Sequence, residues 1–150
     1  MNILEEIKQK SFNSSIEKAM VNLLYTHNWY RDKYRNVYKE FNIKMQHYNV
    51  LRILKGSKPK SISPGEIKEV MLDKSPDLTR LLDKLVQIGL VDRHLCPANR
   101  RKMDVIITKK GEALLSKIAV KRQKMQKEER QNITEEEAEQ LSDLLDKFRS

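Results

Sequence analysis

Residues 75–93 read Ser75-Pro76-Asp77-Leu78-Thr79-Arg80-Leu81-Leu82-Asp83-Lys84-Leu85-Val86-Gln87-Ile88-Gly89-Leu90-Val91-Asp92-Arg93. Ser75-Pro76-Asp77 is a helix-start signal, with an acidic residue near the positive end of the helix. Leu78, Leu81, Leu82, Leu85 and Val86 then recur at helical spacing as a tight apolar stripe. Gly89 stops the helix. Just upstream, Ser63-Pro64-Gly65-Glu66 is a second start: Ser63 caps, Pro64 fits the first turn, and Glu66 returns a bond to the cap. Ile67, Val70 and Met71 face the core from that short helix, and Asp73-Lys74 is a brief break. Two short helices joined by a tight turn, the second better formed, make a helix-turn-helix pattern.

Beyond Gly89 the period changes. Leu90 to Leu95 extends as a strand, and Pro97-Ala98-Asn99 is turn chemistry. Met103, Val105 and Ile107 then alternate with Lys102, Asp104 and Ile106. This predicts a β-hairpin with a basic tip, Asn99-Arg100-Arg101-Lys102. The fold class is therefore mainly α with a small β-hairpin wing, a winged helix-turn-helix between N- and C-terminal helices.

On the N-terminal side, Ile16, Met20, Leu23, Leu24, His27, Tyr30, Tyr34, Val37, Tyr38 and Phe41 keep helical spacing, and no Pro or Gly interrupts residues 1–55. Asn13-Ser14-Ser15 either breaks this helix or caps a fresh start, leaving Ile3, Leu4 and Ile7 to a short helix before it. A shorter helix carries Met45, Tyr48, Leu51, Ile53 and Leu54 and ends at Gly56. On the C-terminal side, Thr108 caps a helix running to about Arg130, with Leu114, Leu115, Ile118 and Ala119 on one face. Thr134 to Glu137 is a further capping box, opening a last helix with Ala138, Leu141, Leu144, Leu145 and Phe148. So long an apolar stripe exceeds what one small chain can bury. The terminal faces, with Leu114, Leu115 and Ile118 among them, are expected to meet a second copy. Residues 1–150 read as one domain: 1–43 and 111–150 mainly dimerisation helices, 44–110 the central lobe.

Charge sharpens that division. Of 30 basic and 21 acidic residues, residues 44–110 hold fifteen and seven, whereas residues 1–43 hold seven and five and residues 111–150 eight and nine. Nearly all of the net charge of +9 thus sits in the middle. A concentrated basic segment points to a polyanion, most often nucleic acid; a merely solvated surface is the alternative. With 34% charged residues and a mean hydropathy of −0.70, the chain shows no apolar run long enough to span a bilayer. Its acidic N-terminal stretch, Glu5-Glu6, is unlike a signal peptide, so a cytoplasmic location is expected.

Site chemistry other than binding finds little footing. The lone Cys96 excludes an internal disulfide framework. Beside Arg93 and Arg100 it could be an oxidisable thiol, against which stands an inert one. His27, His47 and His94 are dispersed, with no metal-ligand spacing. No Gly-rich phosphate loop or nucleophile elbow is present, so neither metal, cofactor nor catalytic residues are assigned. Trp29, Tyr30, Tyr34, His47 and Tyr48 bring aromatic bodies with polar tips, suited either to packing or to a small planar ligand.

Taken together, Gln46 to Leu54, Leu78-Thr79-Arg80-Leu81-Leu82-Asp83-Lys84-Leu85, Gly89-Leu90-Val91-Asp92-Arg93, Asn99-Arg100-Arg101 and Ile107-Thr108-Lys109-Lys110-Gly111 resemble the MarR family of bacterial transcription regulators over nearly the whole chain. The resemblance implies a homodimeric winged helix that binds palindromic operator DNA, usually represses, and often responds to a small molecule or an oxidant. It assigns DNA contact to Ser75, Asp77, Thr79, Arg80 and Lys84 on the recognition helix and its start, and to Arg100, Arg101 and Lys102 on the wing. Arg80 can bridge the guanine O6 and N7 acceptors or grip phosphate, Asp77 can accept from cytosine or favour the helix dipole, and backbone N–H groups of the first turn can meet phosphate. Trp29, Tyr30, Tyr34, His47 and Tyr48 become the liners of an effector crevice for a small aromatic molecule. One position departs from the pattern. The family's wing carries Asp-x-Arg, whose Asp pairs with the Arg matched by Arg93, and Asn99 stands in its place. An amide still accepts from a guanidinium, but without charge assistance. The alternatives kept beside a ligand-responsive repressor are a redox-responsive regulator using Cys96 and a winged-helix adaptor without regulatory DNA binding.

Overall fold

The computed structural model describes residues 1–150, apart from the side chain of Arg100. The chain divides into two compact units, residues 1–45 and 46–150. In the first, α1 (Ile3–Glu6) is a single turn closed by a capping box between Asn2 and Glu5. The chain starts afresh at α2 (Ser15–Lys39), where the Ser14 hydroxyl accepts from the Glu17 N–H. The polar triplet Asn13-Ser14-Ser15 is therefore a start and not an interior stretch. Tyr34, Val37 and Tyr38, all in the last turns of α2, are buried. The first turns instead expose their apolar residues, Ile16 at 65% and Leu24 at 63%. Asn42, with φ 58°, turns the chain beyond the helix; a short polar side chain tolerates that left-handed conformation.

The second unit takes up α3 (Met45–Ser57) from Gln46 onward. Gly56 does not end α3, contrary to the sequence reading. The helix runs on through Ser57, whose hydroxyl donates to the Leu54 carbonyl (2.9 Å). Then α4 (Pro64–Val70) opens on the expected capping box, with the Ser63 hydroxyl accepting from Glu66 N–H and the Glu66 carboxylate accepting from Ser63 N–H. Ile67 and Met71 are buried, but Val70 is exposed. Val70 shares a helix face with Ile67, three residues before it, but as the last residue of α4 it is left open to solvent.

Helix α5 (Leu78–Gln87) buries Leu78, Leu81, Leu82 and Leu85, while Val86 is only half-buried. Gly89 takes φ 77° as the chain leaves α5, which is where its lack of a Cβ is needed. Strands β1 (Val91–Cys96) and β2 (Asn99–Ile107) form an antiparallel hairpin, pairing Val91 with Ile107, Arg93 with Val105 and Leu95 with Met103. Ile62 adds a bridge to Val105 on the other edge. Helix α6 (Lys109–Met125) is capped by Thr108, whose hydroxyl also donates to the Gly89 carbonyl (2.7 Å). It stops at Met125, short of the expected Arg130; a separate turn, α7 (Glu129–Asn132), intervenes before α8 (Glu135–Arg149) and its Thr134–Glu137 capping box.

The dimer-face expectation splits in two. Leu114, Leu115 and Ile118 are already buried within the chain, so they are core and not a surface for a second copy. Helix α8 has no buried residue and exposes Leu141, Leu144 and Phe148. No described helix is long and apolar enough to cross a membrane.

Candidate nucleic-acid interface

Helix α5 presents its outward face because four leucines hold the other face inside. Thr79, Arg80, Asp83 and Gln87 are exposed on that outward stripe, and Lys84 at its edge is half-buried. Asp77 is the N-cap. Its Oδ1 accepts from Thr79 N–H (3.0 Å) and Arg80 N–H (3.4 Å). This corrects one expectation: those two backbone donors are engaged by Asp77 and are not open to phosphate. It also gives Asp77 a local role, since a capping carboxylate complements the positive helix end.

Ser75 precedes the helix, and its N–H (2.9 Å) and hydroxyl (2.6 Å) both donate to Asp73 Oδ1. The turn between α4 and α5 is tied down by two contacts that the sequence did not announce. Leu72 N–H donates to Asn49 Oδ1 (3.0 Å), and Lys68 Nζ donates to the Pro76 carbonyl (2.7 Å). Both join residues distant in sequence through groups common in any loop, so no local motif marks them.

The wing differs from the expected hairpin. Cys96 pairs with Asn99, so the turn is Pro97-Ala98 alone, and Asn99 to Lys102 lie on β2 and not at its tip. Leu95 pairs with Met103, so residues 100–102 stand between the partners of two consecutive β1 residues, with no counterpart of their own. In such a bulge the strict alternation of a flat hairpin no longer applies. Arg101 is exposed there. The Arg100 side-chain expectation lies outside the described residues. Lys102 is exposed and reaches the Glu66 carboxylate at 3.8 Å.

Asn99 does not hold Arg93. Its Oδ1 accepts from Arg101 N–H (3.1 Å), a local side-chain-to-backbone bond typical of Asn in turns. The Arg93 guanidinium instead donates to Asp83 Oδ1 at 2.7 Å. Ten residues separate that pair, across a helix and a strand, and no sequence pattern signals it.

Several cations of the basic lobe are spent internally. Lys58 and Lys55 approach Glu112 at 3.0 and 3.9 Å, and Lys110 Nζ donates to the Ile88 carbonyl (2.8 Å). The Lys58 hydrogen bond, with the nearby Lys55 and Lys109 charges, holds the Glu112 carboxyl below the ordinary glutamate range. Glu66 is lowered too, first by the Ser63 N–H, then by the Ser63 hydroxyl and the charges of Lys102 and Lys60. Among the described residues of the basic lobe, the guanidinium groups of Arg52 on α3, Arg80 on α5 and Arg101 on β2 meet no carboxylate and stand exposed.

The five expected effector liners are distributed unevenly. On α2, Tyr34 is fully buried, its ring 4.6 Å from that of half-buried Tyr30, and Trp29 is exposed beneath the Lys33 ammonium, 5.1 Å from the ring centroid. On α3, His47 is buried and Tyr48 is half-buried, with the Arg122 guanidinium 5.2 Å from its ring. The first unit contains a hollow of about 410 Å³ walled by Met1, Asn2, Ile3, Glu6, Lys18, Asn22, Tyr25, Thr26 and Trp29. Trp29 is its only wall residue among the five. Cys96 is half-buried. Among the described residues no group of three His, Cys, Asp or Glu side chains could hold a metal ion.

A helix-turn-helix, a following antiparallel hairpin and flanking helices define a winged-helix protein. Residues 43–103 match the model of the MarR family. It is similar to a MarR-like transcription regulator from Bacillus cereus (23% identity over 88% of this chain and 94% of that one, TM-score 0.75). It is similar to a MarR transcription factor from Planctomyces limnophilus (27%, 91% and 98%, TM-score 0.69). It is similar also to a mutant MarR from E. coli complexed with operator DNA (26%, 99% and 99%, TM-score 0.71). The fold is that of MarR-family transcription regulators.

Proposed function

We propose that this protein is a DNA-binding transcription regulator that binds a palindromic operator as a homodimer and represses. One observation carries the reading. The lobe neutralises many of its cations internally yet leaves the Arg80 and Arg101 guanidinium groups exposed, one on α5 and one on the bulged wing strand. Arg is a fork-shaped donor suited to guanine edges, to phosphate and to narrow minor grooves. Helix α5 enters the major groove with Thr79, Arg80 and Lys84, while Arg100, Arg101 and Lys102 bring the wing to the flanking minor groove and backbone. Ser75 and Asp77 shape the start of α5. The similar E. coli MarR is seen on operator DNA.

The dimer forms through the exposed apolar residues of α2 and α8, in a cytoplasmic setting. Two copies place their α5 helices about one DNA turn, ~34 Å, apart, so half-sites lie ~10 base pairs apart centre to centre. A small aromatic effector is addressed on α2 by Trp29 and Tyr30, aromatic side chains that keep open surface. The test is selection of duplexes from a random pool, followed by binding at physiological salt. The expected result is a palindrome bound far more tightly than random sequence, with a steep loss as salt rises. Equal affinity for selected and random duplexes sinks the proposal.

A further inference from the structure

We infer that Asp83 and Arg93 are positioning residues that hold the wing at a set angle to α5, so that both meet one DNA duplex together; this rests on the DNA-binding reading above. The hairpin register places Arg93 opposite Val105, on the same face as Val91 and Ile107, all three buried. The Arg93 side chain is accordingly only 28% exposed. Its aliphatic stem runs over apolar surface while its head group emerges at α5. There it meets Asp83 at 2.7 Å. Asp83 stands one helical turn beyond Thr79 and Arg80, on the outward stripe.

A carboxylate on that stripe is otherwise a liability. Unpaired, it would repel phosphate and weaken binding. Paired with Arg93, its charge is balanced and becomes a brace between two elements. Two other described ties of the hairpin lead elsewhere. The Ile62–Val105 bridge and the Lys102–Glu66 pair join it to the start of α4. Asn99 is occupied with the Arg101 N–H. Among the described residues, Asp83 and Arg93 make a charged link from α5 to the wing. Recognition elements need a fixed mutual geometry, and a small rotation of the wing would take Arg101 out of reach while leaving α5 seated.

The two roles of Asp83 make opposite forecasts for Asp83→Asn. This change removes one negative charge per chain. If Asp83 were merely a surface charge, affinity would rise for every duplex and the salt slope would steepen. If it positions the wing, affinity falls for a duplex that includes the wing's flanks. The probes are a duplex selected by the unaltered protein and the same duplex with its outer flanks cut away. We expect Asp83→Asn to lose roughly three- to fivefold on the flanked duplex, the range of a partly exposed ion pair, to keep its affinity for the trimmed one, and to lose hydroxyl-radical protection at the flanks. The exchange Asp83→Arg with Arg93→Asp restores both affinity and protection. Should Asp83→Asn unfold, Arg93→Gln poses the same question from the strand. Uniformly tighter binding with the flank effect intact, or an exchange no better than the single change, overturns the inference alone. An unaltered protein that selects no duplex overturns the DNA-binding reading and the inference with it.

Discussion

A Cβ built on Gly111 would lie 2.3 Å from the carbonyl oxygen of Leu90 and 2.6 Å from Ile107 Cγ1. Helix α6 thus starts in direct contact with the chain segment that leaves α5 and with the last residue of the wing. The Thr108 hydroxyl and Lys110 Nζ bond to the carbonyls of Gly89 and Ile88 at the same junction. Backbone sits on one side of Gly111, so the crowding cannot be relieved by a side chain swinging away. Gly111→Ala should destabilise the fold by ~1–3 kcal/mol, the usual cost of overpacking. The measurement is the urea midpoint at unchanged slope; a midpoint equal to the parent's would show that the junction yields freely.

The cap of α5 is separable from DNA contact. Asp77→Ala leaves two N–H groups at the helix start without their acceptor and should cost ~1 kcal/mol of stability, whereas Asp77→Asn should retain most of it. Equal losses for both would mean that the charge and not the cap matters.

For the exposed arginines, affinity for every single-base variant of a selected duplex is the informative measurement. Arg80→Ala should cost ~1–3 kcal/mol and relax preference at one base position per half-site if it bridges guanine. If it grips phosphate, affinity should fall almost uniformly and the salt slope should shrink by ~1 per half-site. Arg101→Ala should weaken binding in a way that depends on A·T content at the flanks. Native circular dichroism with no change in affinity or preference for either variant would move the DNA surface elsewhere.

Oligomerisation should separate the two apolar sets. Leu144, 63% exposed on α8, is expected at an interface burying more than ~2,000 Å², as in permanent dimers. Leu144→Glu should yield a smaller species by light scattering at micromolar concentration with the helices retained. Ile118→Ala, within the core, should instead lower stability by ~2–5 kcal/mol. A parent chain that is already monomeric would remove the dimer from the proposal.

Acid should loosen the lobe through Glu66 and Glu112. Both carboxyls are lowered from the ordinary value of 4.5. A depressed folded value means their stabilisation is present above the unfolded value and lost as pH falls through the folded one. Stability should therefore decline as pH drops below 4.5, and the pair Glu66→Gln with Glu112→Gln should flatten that part of the curve. Urea midpoints across the acid range check this; an unchanged slope in the double variant would assign the acid loss to other carboxyls.

Much of the architecture was legible in the sequence because it is locally encoded. Caps at Ser63, Thr108 and Thr134 act through neighbours three residues away, and the leucine stripe of α5 and the alternation around Val105 report their own periods. Where the reading went astray, a local signal met a non-local fact. Gly56 has the residue type of a helix stop, but it does not take the left-handed conformation and α3 ends one residue later, at Ser57. Leu114, Leu115 and Ile118 looked like Leu141 and Leu144, since apolar periodicity tells which side of a helix is buried and not what buries it. The basic run 100–102 resembled a hairpin tip until the register between β1 and β2 made it a bulge. The family resemblance offered Asn99, in place of the usual wing Asp, as an uncharged partner for Arg93. The structure gives it Asp83, because which carboxylate a guanidinium meets depends on how a strand crosses a helix. The sequence by itself determined the elements, their order and where the charge lies. Only the tertiary structure decided which charges are spent on one another and which remain exposed, since ion pairs form between chain segments that packing, and not spacing, brings within reach.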